Sequence, residues 1–300
     1  MKPDSKLARQ IESGKFIITA EYIPHPGTDA AVIEAGIGTL KNGPVAVNVA
    51  DNHYGVSMSS LAASVALSRA GIEPVCQMVT RDRNRIALQS DLLGAAFLGI
   101  KNVVCLSGYH QTLMGCPESA NVFDIDSIQF LAVVNQMNDK GLLLDGTKIE
   151  GAFSMLVGAV ANPYLKPLEL NIIRLNKKVT AGAKFIQTQA VFDVTVFRQW
   201  LETVRDEGIT EKVAILAGVL PLSSADEAIK LRDTYTDFNI PDEIINRMKA
   251  SGALNAQKKE GLVISTEIIR AIKAMAGVRG IHILSGRNEA VVPELMAIMQ

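Results

Sequence analysis

Eight short apolar runs recur along the 300 residues, each followed by a stretch of helical period, and this alternation restricts the fold more than any other feature. The runs are KFIITAEY (15–22), PVAVNVA (44–50), EPVCQMV (73–79), KNVVCLSG (101–108), FSMLVGA (153–159), AKFIQTQ (183–189), KVAILAG (212–218) and RGIHILSG (279–286). Both faces of these runs are apolar, as in parallel strands covered by helices on either side. Helical patterns follow them over 28–41, 59–70, 81–99, 126–140, 167–181, 193–207, 223–233 and 288–299. Gly71, Gly99, Gly141, Gly182 and Gly208 stand where glycines close helices, and Asp126, Asp193 and Ser223 stand where caps open them. A helix over 4–12 precedes the first run, and the gap of about 60 residues between the last two holds extra helices near 241–250 and 257–276. Eight strand–helix pairs in a chain of this length describe a (β/α)8 TIM barrel forming a single domain over 1–300. A doubly wound sheet would want a GxGxxG turn after an early strand, and the sequence has none.

Composition narrows the function classes. The chain is 48% apolar and 20% charged with a net charge of −1, an ordinary globular balance that gives nucleic acid no basic footprint. Three cysteines, Cys76, Cys105 and Cys116, with no CxxC spacing, exclude a disulfide framework and a four-cysteine zinc site. The N-terminal stretch is polar, and no apolar run reaches the about 18 residues of a membrane span, so a cytoplasmic protein is expected. His53, His110 and His282 are not at metal-ligand spacing, and no HExxH, Walker or GxSxG motif occurs.

In such a barrel, chemistry sits at the C-terminal ends of the strands. Glu21 ends the first strand; a carboxylate there is costly unless paired or protonated, and a raised pKa suits proton transfer, the alternative being a rim salt bridge. Gln189 ends the sixth, a neutral amide that can donate and accept together, as a heterocyclic amide requires; the alternative is a polar layer inside the barrel. Asp51, Asn52 and His53 end the second strand, Gln77 lies in the third, Tyr109 and His110 follow the fourth, Asn162 the fifth, and Gln187 lies in the sixth. TRDRNR (80–85) reads as a helix start or an anion site. Asn171, Arg174, Lys177 and Lys178 lie at helical spacing after the fifth strand, where Arg174 and Lys178 suit a phosphate or carboxylate or form an exposed basic face. Gly115 and Pro117 in the long 109–125 loop suggest a lid.

FIITAEY, VNVADN, EPVCQMVTRDRNRIALQSDLLGA (73–95), VFDIDSIQ (122–129), GAVANP (158–163), RLNKKVTAGAKFIQTQAVFD (174–193) and ILAGVLPL (215–222) together resemble the methylenetetrahydrofolate reductase family, especially its short acetogen form, over nearly the whole chain. That resemblance implies a (β/α)8 barrel binding FAD and reducing 5,10-methylene- to 5-methyltetrahydrofolate. It implies that Glu21 is the catalytic acid and that Gln189 hydrogen-bonds the pterin, with Asp51, Asn52, Gln187 and Tyr109 as further folate contacts. If FAD binds, Asn171, Arg174, Lys177 and Lys178 hold its phosphates and ribose, with Gln77, His110 and Asn162 as further contacts.

The departures from the family pattern cluster on one ligand. Tyr109 stands where the family has an aspartate beside the flavin, Ala50 where it usually has a threonine, and Ala225 where some members place a phenylalanine. VSMS (56–59) and IPHPG (23–27) also depart. Folate-facing positions are kept and flavin-facing ones change. This implies a flavin-free transferase passing a methyl group between a corrinoid protein and tetrahydrofolate. The other readings are an FAD-dependent reductase and a non-catalytic folate-binding subunit. The sequence leaves the direction of transfer, the partner and a homo-oligomer open.

Overall fold

The computed structural model describes residues 3–235 and 238–299. The described residues form β1 (Ile17–Tyr22), β2 (Ala46–Val49), β3 (Pro74–Val79), β4 (Asn102–Leu106), β5 (Leu156–Ala161), β6 (Phe185–Ala190), β7 (Ala214–Val219) and β8 (Val278–Ile283). Each pairs in parallel with the next, and β8 closes on β1, giving a closed eight-stranded barrel.

A helix follows each strand: α2 (Ala30–Thr39), α3 (Ser60–Arg69), α4 (Arg85–Phe97), α5 (Ser127–Lys140), α6 (Leu168–Thr180), α7 (Val194–Asp206), α8 (Ala225–Thr234) and, after β8, α11 (Val291–Met299). The expected insertion between β7 and β8 is α9 (Asp242–Ala250) and α10 (Leu254–Lys273). The five closing glycines all take positive φ, between 63° and 116°, the left-handed region in which a side chain is strained.

α1 (Lys6–Glu12) closes the N-terminal end of the barrel. Its Leu7 and Ala8 pack with Ile17, Ala46, Val75, Val104, Phe185 and Leu216, and the Glu73 carboxylate accepts the Lys6 and Leu7 amides at 2.6 and 2.8 Å. An acceptor on the free N–H groups of a first turn holds that helix in place. The opposite, C-terminal mouth stays open.

Several boundaries differ from the sequence expectation, three of them near the site or the insertion. β5 starts at Leu156 rather than Phe153, because the ladder to β4 begins where the Leu156 amide meets the Lys101 carbonyl. The cap of α8 is Ser224, whose hydroxyl accepts from the Glu227 amide; Ser223 instead gives both its amide and hydroxyl to the Glu227 carboxylate. α10 starts at Leu254, ahead of the expected 257.

Candidate functional site

The barrel interior is polar in its middle layer. Asn48 on β2 and Gln187 on β6 exchange side-chain amide hydrogen bonds at 2.7 and 3.0 Å. His282 on β8 joins through Nδ1, 2.9 Å from the Thr19 hydroxyl and 3.3 Å from Gln187 Nε2. Burial lowers the His282 pKa to about 3, so the ring is neutral and acts as a hydrogen-bonding spacer. This layer floors a cavity of about 340 Å³ at the C-terminal mouth.

Glu21 stands on this floor, two residues beyond Thr19 on β1, and is 5% exposed. Among the described residues it makes no salt bridge; its Oε2 accepts the Ser285 amide at 3.3 Å. Burial pushes its pKa up to about 7, the nearby Glu289 charge adds to the rise, and the Ser285 and Gly286 amides work against it. Such a carboxyl gives or takes a proton near neutral pH. Gln189 lines the same cavity from β6. There the β6–β7 register shifts between Gln187 and Ala190, with the Thr188 hydroxyl accepting the Gly218 amide. Irregularities of this kind re-aim side chains beside sites.

The remaining expected site residues divide. Asp51, Gln77, Tyr109, Asn162 and Gln187 line the cavity, as do Asn171, Arg174 and Lys178 from α6. Asp51 is bound by Arg83 at 2.6 Å and by the Val79 amide, so it braces the strand ends. Gln187 is largely committed to the layer below. Asn171 donates to the Asn162 carbonyl at 2.7 Å. Lys178 donates to the Val160 carbonyl at 2.6 Å, and burial, aided by Arg174, lowers its pKa to about 8. Neither Arg174 nor Lys178 makes a salt bridge among the described residues, although Asp126 lies near enough to favour the charged form of Lys178.

Asn52, His110 and Lys177 are not brought to the cavity wall. Asn52 takes a positive φ of 48° and spends its side chain on Asp82 and the Ser57 amide. His110 follows Gly108 out of the barrel and bonds Thr112 and Asn121 around a single 3-10 turn, Gln111–Leu113. Lys177 lines an outer groove with Ile128 and Ile173.

The wall also holds Tyr54, Tyr235 and Phe238, which the sequence does not single out, and Arg81 of TRDRNR, which proves to be a brace paired with Asp82. Arg81 is 2% exposed; its guanidinium binds Asp82 and reaches the Asn52 and Tyr109 carbonyls, tying the β2, β3 and β4 loops together. Tyr54 lies under the Arg287 guanidinium at 4.8 Å and edge-on to His53 at 4.3 Å. Burial, with Arg287 and Arg81 nearby, lowers His53 to about 4. Tyr235, just past α8, reaches back to Tyr109 with ring centres 5.6 Å apart, and Phe238 lines the wall beside it. That closure depends on the insertion folding over the mouth, which local pattern does not encode.

Fold and site together define a (β/α)8-barrel protein with a buried carboxyl of raised pKa and side-chain amides in one cavity at the C-terminal face. The model of the methylenetetrahydrofolate reductase family matches residues 6–299, and the chain belongs to that family. A probable methylenetetrahydrofolate reductase (NADPH) of Caenorhabditis elegans is 22% identical over 243 residues, 80% of this chain and 34% of that protein. The 5,10-methylenetetrahydrofolate reductase of Salmonella typhimurium is 24% identical over 215 residues, 71% of this chain and 66% of that one. The chain thus spans about a third of the first relative and about two thirds of the second. A Clostridium thermocellum protein solved with two copies of 5-methyl-5,6,7,8-tetrahydrofolic acid shares the barrel with a TM-score of 0.68 at 15% identity, covering 97% of both chains. A 2,3-dimethylmalate lyase shares it at 0.51 and 12% identity, over 100% of this chain and 85% of that one. No helix among the described residues is long and apolar enough to cross a membrane.

Proposed function

We propose that the protein is a tetrahydrofolate one-carbon enzyme that moves a methyl group between a corrinoid protein and N5 of tetrahydrofolate without a flavin. The observation that carries this reading is Tyr109. It lines the cavity at the end of β4 and packs on Tyr235, on the side where a family flavin is expected. Glu21 and Gln189 share the same cavity, which fits a pterin there. The ligand of the Clostridium thermocellum protein, a 5-methyl folate, fits the same chemistry.

In the forward direction the N5 lone pair attacks the cobalt-bound methyl group. The N–C bond forms, the Co–C bond breaks, and its electron pair stays on cobalt. The N5 proton passes to the Glu21 carboxylate, directly or through water. In reverse, the Glu21 carboxyl protonates N5. A pKa of about 7 populates both forms near neutral pH, so one residue serves either direction. Gln189 can donate to and accept from the pterin amide edge, orienting N5.

One observation favours a second reading, an FAD-dependent methylenetetrahydrofolate reductase. Arg174 and Lys178 face the cavity without a salt bridge among the described residues, and two cations on one helix face fit a dinucleotide phosphate. Bound FAD would supply hydride to the folate, with Glu21 protonating the ring nitrogen. The visible spectrum of the purified protein, before and after excess FAD, separates the two. No flavin band in either state is the expected result. A stoichiometric band overturns the flavin-free reading in favour of the reductase.

A further inference from the structure

Glu289 lies just after β8, in the turn that wraps Glu21, and neither the reaction above nor any family motif in the sequence accounts for it. The turn is tightly built. Gly286 and Arg287 both take positive φ, 57° and 70°, the Asn288 amide returns to the Ser285 carbonyl at 2.9 Å, and the Val292 amide meets the Glu289 carbonyl as α11 begins. Its two carboxylates cross over. Glu21, on β1, accepts the Ser285 amide of the turn, while Glu289, on the turn, accepts the Ile23 amide just past β1 at 3.5 Å. Each acid is thus anchored on the other's segment. Glu289 is 7% exposed, and no ion pair neutralises it among the described residues. Its charge is felt on β1 twice, at Glu21 and at the Tyr22 phenol, which burial and Glu289 push up to about 12. Other ionisable groups lining the same cavity include His53 and Tyr54 after β2, Arg81 after β3, Glu227 in α8 and His282 in β8, with Arg287 against Tyr54. Arg287 is turned onto the Tyr54 ring, and Arg81 is spent on Asp82, so neither neutralises Glu289.

We propose that Glu289 is a positioning residue for Glu21: the crossed hydrogen bonds fix the end of β1 so that the Glu21 carboxyl faces the cavity, and a second acidic side chain anchored beside it favours the form of Glu21 that keeps its proton. A second carboxylate near a buried one favours the protonated form of the first. The inference rests on Glu21 being the group that handles the proton.

The test reads Glu21 directly. Protein carrying 13C-carboxyl glutamate is titrated by NMR, with the Glu21 signal assigned by its disappearance in Glu21→Gln. Glu289→Gln keeps an acceptor for the Ile23 amide and removes only the charge. Its Glu21 midpoint is expected to fall by roughly one pH unit, and an unchanged midpoint overturns the inference. Should that variant fail to fold, Glu289→Asp withdraws the charge by one methylene. Its Glu21 midpoint is expected to fall below wild type by less than about one pH unit, and a value equal to wild type overturns the inference. The titration stands apart from turnover: an active Glu21→Gln would sink the catalytic reading, while the midpoint shift would still report on Glu289.

Discussion

At the residue scale the account rests on Glu21, and its environment makes two separable predictions. Glu21→Gln keeps size and an acceptor but cannot carry the proton, so turnover with tetrahydrofolate is expected to fall roughly a hundredfold or more, in the range of a lost general acid–base. Unchanged turnover would remove Glu21 from the mechanism. The second prediction concerns stability. An ordinary glutamate titrates at 4.5, and folding raises Glu21 to about 7. Between those values the folded protein holds the extra proton, so stability falls as pH rises through this window and levels off above it. Glu21→Gln abolishes that dependence. The variant is expected to gain on wild type by up to roughly 3 kcal/mol between about pH 5 and pH 8 in thermal unfolding; the same difference at both would contradict the burial argument. Tyr109 makes a third prediction: Tyr109→Asp is expected to let purified protein take up FAD, seen as a visible flavin band, and a still colourless variant would shift the exclusion onto Ala50 and Ala225. Residue-level legibility had a geometric limit. Asn171, Arg174 and Lys178 fall on one face of α6, but Lys177 is turned about 100° from Lys178 and lands outside. Charge type was readable there; direction required the helix phase.

At the element scale, the strands were legible because burial on both faces leaves unbroken Val and Ile runs, and the helix ends because glycine is needed at positive φ. The insertion was legible as helices but not as a cover. Tyr235 reaches Tyr109 from the end of α8, which packs on α9, while α9 packs on α10 and α10 on β7 and β8, a tertiary fact with no local signature. Two glycines test this packing with opposite signs. At Gly261 in α10 an added Cβ would lie 1.8 Å from the Leu222 carbonyl oxygen, so Gly261→Ala must push the insertion off the β7–α8 loop. A loss of roughly 2 kcal/mol in denaturant unfolding is expected, beyond what helix propensity returns. At Gly94 in α4 the nearest atom, a Leu61 methyl, is 4.0 Å away. Gly94→Ala there is expected to gain roughly 0.5–1 kcal/mol. Equal effects at both positions would mean that α10 does not seat on that loop.

At the scale of the whole molecule, α1 covers one end of the barrel and the cavity opens at the other, which makes the C-terminal mouth the candidate site. The order of strands and helices made that legible. The mouth itself was half legible. Glu21 and Gln189 stand at strand ends that the ladder fixes, while the aromatic wall and the Arg81 brace arise from loops whose paths the sequence does not set. The proposed function puts a pterin on the floor of the cavity, with Glu21 at its N5 and Gln189 at its amide edge. Calorimetric titration of the purified protein, free of added flavin, with tetrahydrofolate tests this most directly. The account predicts saturable binding of one folate at the cavity, weakened roughly tenfold or more in Gln189→Ala, as expected when a pterin hydrogen-bond pair is lost. No binding by wild type, or equal binding by Gln189→Ala, would contradict it.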